Sequence, residues 1–201
     1  RLVMTANSSL GFTNLNTNGG MITVPSGSAT ISGNIFAGNV QKGGRGTLVL
    51  SGDSQTAGAH NVNEGILEVQ TVGGLGSPAG TTTVRQGATL QFNGNFAMGL
   101  EPINVSGAGF NSNAPGSGLD TYGTSVGAFR VTGGNSSLAG TLTINGDATD
   151  LTGMYGGFPV IASGVPFIGV ATGSTFTLTG DMPGASELAK IGGGTLELAG
   201  V

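Results

Sequence analysis

Four short phrases, GSATIS at 27–32, GTLVL at 46–50, GILEV at 65–69 and GATLQF at 87–92, begin 19 to 22 residues apart. Each places a glycine ahead of one or two small residues and then alternates apolar side chains with others, the period-two pattern of a strand lying on a core. Leu48 and Leu50, Leu67 and Val69, and Leu90 and Phe92 fall on one side, with Val49, Glu68 and Gln91 on the other. Helix signals are nearly absent, since no stretch carries apolar residues three and four apart for three turns without an intervening Gly or Pro. With no helices to bridge parallel strands, a recurrence of about 20 residues stacks them by winding the chain round three short strands and three turns. The expected fold is an all-β parallel β-helix, a solenoid of about nine or ten coils and on the order of 45 Å long at roughly 4.8 Å per coil.

Composition agrees with many short strands and tight turns. Glycine supplies 41 of the 201 residues, about three times its usual share. Hydrophobic residues make up 37% and charged residues 8%, the reverse of a chain that stays disordered. Glycine and Asn suit corners at which the backbone needs positive φ. The net charge is −4, and the six basic residues, Arg1, Lys42, Arg45, Arg85, Arg130 and Lys190, are scattered. Without a basic stripe the sequence does not read as a nucleic-acid binder. Cysteine is absent, which removes disulfides and thiolate chemistry. The most apolar stretch, FPVIASGVPFIGVATG at 158–173, is interrupted by Pro159, Pro166 and several glycines. It reads as two buried strands and not as a membrane span.

A longer recurrence overlies the short one. KGGRGTLVLSG at 42–52 returns as KIGGGTLELAG at 190–200, a distance of 148 residues, while the short glycine-led phrase occurs again as GTLTI at 140–144 and GTLEL at 194–198. Residues 1–201 are expected to form a single β-helical section of a longer repetitive chain, one without a signal peptide of its own. The stretch SGAGFNSNAPGSGLDTYGTSVG, 106–127, lacks strand-like runs and is the candidate excursion from the coils. Loops on a regular scaffold are where binding specificity is usually placed.

Lys42, Gly44, Gly46, Thr47, Leu48, Leu50, Gly52, Gly58, Val62, Gly65, Leu67 and Val69 together resemble the autotransporter-associated β-strand repeat. That repeat occurs in passenger domains of bacterial autotransporters and in very large bacterial surface proteins. GGLGSPAGTTTVRQGATLQFNG at 73–94 resembles its usual continuation. The likeness is specific over 42–94, partial over 24–41 and 174–200, and weak or absent over roughly 95–173. Ser54, Thr56 and His60 stand where the family commonly has Asn, an aromatic residue and Thr. The resemblance implies a right-handed β-helix displayed outside a bacterial cell.

Residues suited to chemistry are few. His60 is the single histidine and reads as a solvated strand residue, because catalysis needs a positioned partner. Glu64 and Glu68 share a strand face or corner. A polysaccharide hydrolase or lyase would need clustered carboxylates, and Asp120, Asp147 and Asp150 with Arg130 are the candidates; solvated turn carboxylates are the default. NGDATD at 145–150 makes calcium near Asp147 and Asp150 an open question, since the motif occurs once. KGGRGT has its Lys ahead of the glycines and no helix after it, which is the wrong order for a phosphate loop. With nine Phe, two Tyr and no Trp, a sugar-stacking platform is poorly supported; Tyr122 and Tyr155 are its candidates, and a packed or half-exposed Tyr is the default. No catalytic, cofactor or metal site is assigned and no cofactor is expected.

The expected function is structural: an extracellular or cell-surface β-helix for display, adhesion or fibre formation, and not an enzyme. Its expected partner is itself, as neighbouring coils or head-to-tail copies forming a filament, because open coil ends would otherwise aggregate. The alternatives are a carbohydrate-active β-helix and a module binding a glycan or host protein through 106–127.

Overall fold

The computed structural model describes residues 1–11, 14–16, 19–36, 39–54, 58–111, 125–146, 153–155, 158–160, 165–184 and 187–200, with the backbone alone for 14–16, 36, 153–155 and 158–160. All regular structure among them is β, and no helix is long and apolar enough to cross a membrane.

Three parallel sheets account for nearly all of it. The first holds Leu2–Val3, Met21–Thr23, Gln41–Gly43, His60–Val62, Thr82–Val84, Ile103–Ser106 and Leu142–Asn145, in that order. The second holds Ser9–Leu10, Ser28–Ile31, Thr47–Leu50, Gly65–Val69, Ala88–Asn93, Phe129–Gly133, Phe167–Val170 and Ala189–Ile191. The third holds Ala97–Met98, Asn135–Leu138, Thr175–Leu178 and Thr195–Leu198, while Asn14–Asn16 pairs separately with Asn34–Phe36. The chain passes from first sheet to second sheet and, where a strand is described there, to a third position before the next circuit. None is described after Thr47–Leu50 or Gly65–Val69, and Ala189–Ile191 of the second sheet follows Thr175–Leu178 of the third directly. Neighbours within these three sheets therefore come from successive circuits and not from adjacent segments of chain.

The four glycine-led phrases supply four consecutive strands of the second sheet, as their spacing predicts. Hydrogen bonds run from circuit to circuit, for example Thr30 N to Ser8 O at 2.9 Å, Asn61 N to Val40 O at 2.8 Å and Ala128 N to Phe167 O at 2.8 Å. A buried strand whose neighbours in sequence do not pair with it satisfies its main chain largely through the next circuit.

Circuit length explains the strand count. Register partners are 20 residues apart at Leu2↔Ile22 and Lys42↔Val62, 22 at His60↔Thr82 and 21 at Thr82↔Ile103. The interval then rises to 39 at Ile103↔Leu142, Leu90↔Phe129 and Phe129↔Ile168. Two circuits thus use about twice the usual length, and the longest sheet has eight strands among the described residues where nine or ten coils were expected. Both long circuits carry their extra chain at the same corner, between a first-sheet strand and the next second-sheet strand: 107–128 after Ile103–Ser106, and 146–166 after Leu142–Asn145.

The second of these intervals was not anticipated. Phe158–Val160 pairs antiparallel with Gly153–Tyr155 in a separate hairpin, and only Phe167–Val170 enters a parallel sheet as a buried strand. The apolar run 158–173 therefore divides between an excursion and the scaffold.

The two long copies of the recurrent phrase do not occupy equivalent places. In 42–52, Lys42 lies in the first sheet and Thr47–Leu50 in the second; in 190–200, Lys190 lies in the second and Thr195–Leu198 in the third. The short phrase at 140–144 supplies Leu142–Asn145 to the first sheet, where its earlier occurrences supply the second. The phrase encodes a strand, a corner and a strand without specifying a side.

Leu48, Leu50, Leu67, Val69, Leu90 and Phe92 are all buried in one apolar cluster that continues into Ile22, Val62, Val84, Val105, Ile144 and Val170. Phe129 joins Phe92 edge-on at 4.8 Å between ring centroids and Phe176 at 4.6 Å, linking second and third sheets through the interior. Aromatic pairs at such separations add to simple burial.

Corners depend on glycine where one circuit crosses close to the next. Gly65 has φ +66°, and a Cβ there would lie 2.5 Å from the carbonyl oxygens of both Gly44 and Gly46. Gly87 has φ +76° with nothing within 4 Å of the same position. Gly87→Ala is therefore expected to cost only the backbone term of about 1–2 kcal/mol. Gly65→Ala adds a steric term of about 1–3 kcal/mol to it. Urea denaturation of the two variants measures the difference, with Gly65→Ala having the lower midpoint.

Candidate functional site

Asp120, Tyr122, Asp147 and Asp150 lie outside the described residues, as does the side chain of Tyr155. Arg130 is described, and its surroundings are not acidic alone. It lies on the outward side of Phe129–Gly133, in register with Gln91, which is in register with Glu68. Gln91 Nε2 donates to Glu68 Oε2 at 2.5 Å, Gln70 Nε2 and Asn93 Nδ2 donate to Glu68 Oε1 at 2.6 and 2.9 Å, and Arg130 Nη1 donates to Gln91 Oε1 at 3.3 Å. Burial lowers the guanidinium's proton affinity and the Glu68 carboxylate raises it.

These side chains cover one another, so Glu68 is only 8% exposed although it points away from the apolar core. Strand alternation holds in direction but not in burial. A general base needs a free lone pair directed at substrate. Glu68 already receives three amide N–H groups, and the cluster works as a polar ladder that ties three circuits together. Among the described residues no three of His, Asp and Glu gather closely enough to hold a metal ion.

His60 is not solvated, contrary to the reading of the sequence. It is 1% exposed, in register with Thr82 on the inner side of the first sheet, with Nε2 2.8 Å from Leu75 O. A carbonyl can only accept, so Nε2 carries the proton. Burial lowers the ring's pKa more than the Leu75 carbonyl raises it, which favours a neutral imidazole. A ring enclosed in this way has no route to substrate.

Lys42 is the feature that sequence reasoning missed. Its register partners are the core residues Ile22 and Val62, and its exposure is 0%. The stem takes a place in an apolar column, and Nζ donates to Gly43 O at 3.1 Å, Gly44 O at 2.6 Å and Glu64 O at 2.8 Å. All three ammonium protons are used. The Glu64 carboxylate accepts from Gly44 N at 2.9 Å, closing the same corner from outside. Burial pushes the Lys42 pKa down to about 8 against the opposing pull of Glu64.

Lys190 repeats the central contact, donating from Nζ to Gly192 O at 2.5 Å from an exposed position. Gly44 and Gly192 both have positive φ, at 78° and 82°. The recurrence of Lys, any residue, then Gly was the available signal: the lysine clamps the carbonyl of a left-handed glycine two residues on.

The corner between first and second sheets is held from outside as well. Thr89 Oγ1 donates to Gly127 O at 2.7 Å and accepts from Phe110 N at 2.9 Å. Arg45 donates to Asn111 O at 3.2 Å and stacks its guanidinium 5.3 Å from the Phe110 ring centre. Gly109 and Gly127 form a parallel bridge, and Asn111 and Ser125 an antiparallel one. The two ends of the first excursion are therefore fastened to the sheets and to each other. Beside them an open groove of about 480 Å³ is lined by Ser125, Val126, Arg130, Gly169 and Ile191, among others.

Comparison of the chain with protein-family models, with curated proteins and with solved structures gave no match.

Lys42→Met keeps the stem and removes the donor, leaving buried carbonyls unpaired at about 1–3 kcal/mol. Lys190→Met, at an exposed position, is expected to change stability by less than about 0.5 kcal/mol. The wild-type protein should also gain stability between about pH 8 and the ordinary lysine value of 10.5. In that window the unfolded chain still holds a proton that folded Lys42 has released, and the gain is lost as pH falls through 8. Chemical denaturation at pH 7.5 and 10 checks both points, the pH-dependent gain being smaller in Lys42→Met.

Proposed function

We propose that this chain is an extracellular section of a bacterial surface protein, a right-handed parallel β-helix whose role is stiffness, reach and display. The observation that carries the reading is the placement of both long intervals, 107–128 and 146–166, at one corner of consecutive circuits. Every other circuit turns that corner in a few residues. A scaffold that is regular elsewhere and carries its added chain at one edge suits a presenting structure.

The fastening of 107–111 and 125–128 to Thr89 and Arg45 supports the same reading, because an anchored base holds a loop in a fixed direction. The resemblance of 42–94 to the autotransporter-associated repeat agrees with it. Adhesion, a surface coat and fibre formation are the activities such a section would serve. Head-to-tail stacking into a filament belongs to the same proposal, since parallel edges accept further strands without a change of geometry.

Antibody raised against the peptide 112–124 tests the proposal on cells producing the full-length protein. Labelling of intact bacteria is expected, at a level close to that of permeabilised ones. Labelling that requires permeabilisation would refute surface display. Electron microscopy of the purified chain should show particles extended along one axis for about 35–40 Å, eight strands at roughly 4.8 Å each.

A further inference from the structure

Glu101 has no part in the clamp, the ladder or the anchored corner. It lies in the link between Ala97–Met98 and Ile103–Ser106, the strand from which the first excursion departs. Its exposure is 3%. Oε1 accepts from Thr82 Oγ1 at 2.8 Å, while Oε2 is buried without a hydrogen-bond partner. The backbone behind it is fixed, because Gly140 approaches so closely that a Cβ would fall 2.0 Å from Glu101 O.

The groups around it are neutral. The strand Thr82–Val84 presents the hydroxyl of Thr82. The preceding strand, His60–Val62, presents an imidazole opposite Thr82 whose Nε2 is committed to Leu75 O. The corner at Gly140 presents main chain. Burial and the Thr82 hydrogen bond, and no ion pair, set the carboxyl's proton affinity. An ionised carboxylate here would be a buried charge with a single hydrogen-bond donor and no counter-ion among the described residues, which is costly unless water enters or a proton binds.

We propose that Glu101 is a proton-operated latch: uncharged, it keeps the circuit of residues 97–106 closed, and ionised, it admits water and loosens the strand at the root of the first excursion. Burial raises its pKa from the ordinary 4.5 to about 7, against the smaller lowering by Thr82, which places the change near neutrality. Between those values the folded chain holds a proton that the unfolded chain has released. The stabilisation is complete below 4.5 and is lost as pH rises through 7. His60 has the opposite sign, its contribution being lost as pH falls below the ordinary 6.5. Mild acid closes the latch, and a neutral or alkaline medium opens it.

Carbon-13 NMR of Glu-labelled protein reads the titration directly. A Glu101 carboxyl midpoint near 7 is expected, and one near 4.5 overturns the proposal. Hydrogen exchange corrected for intrinsic rate reads the opening: protection of 97–106 should fall about ten-fold or more between pH 5.5 and pH 8, relative to 28–50, given ten-fold per unit of pKa difference. Glu101→Gln should abolish that change. Equal protection at both pH values, or a change that persists in Glu101→Gln, overturns the latch. If Glu101→Gln fails to fold, Thr82→Val serves, since loss of its hydroxyl should move the NMR midpoint upward. A midpoint that stays in place or moves down counts against the proposal.

Discussion

A strand that has no neighbour along the chain must find one in the next circuit, and that requirement shapes everything else here. Thr30, Asn61 and Ala128 each donate their main-chain N–H to a carbonyl about 20 or 40 residues away. Once the main chain is paired in this way, the interior receives one side of every strand, and successive circuits stack Leu48, Leu67 and Leu90 in one column. Corners then have to turn within a few residues under a neighbouring corner. That explains why Gly65, close to the carbonyls of Gly44 and Gly46, has no room for a side chain.

The corners also generate the molecule's unusual chemistry. A tight turn leaves carbonyls without strand partners, and buried carbonyls need donors. At the corner after Gln41–Gly43 the donor is an ammonium from the apolar column itself, which satisfies Gly43, Gly44 and Glu64 together. On the outer surface of the second sheet the polar groups are solved differently, by mutual pairing of Glu68, Gln91, Asn93 and Arg130. Both solutions consume charged groups in architecture.

Much of the scaffold was legible in the sequence because strand period and corner glycine are local signals. The phrases at 27–32, 46–50, 65–69 and 87–92 became successive strands of one sheet, and their alternate apolar residues became core. Three polar residues were not legible. Lys42, His60 and Glu101 sit at positions whose polarity argues for solvent, and what draws them inward is a carbonyl or hydroxyl 15 to 22 residues away in the chain: Glu64 O, Leu75 O and Thr82 Oγ1. Register across circuits is not printed in any local window. The interval 146–166 was concealed for a related reason, since Phe158–Val160 has strand chemistry whether it pairs in the stack or in a hairpin. The acidic candidates Asp120, Asp147 and Asp150 fall in the two intervals that share a corner, outside the described residues.

The indifference of the Lys–x–Gly phrase to its side has an evolutionary corollary. In a closed globule, copying a gene segment usually disrupts packing unless a whole domain is copied. Here the strand that follows the Lys–x–Gly corner lies in the second sheet at Thr47–Leu50 and in the third at Thr195–Leu198, so a copied segment that begins and ends at corners can join more than one sheet.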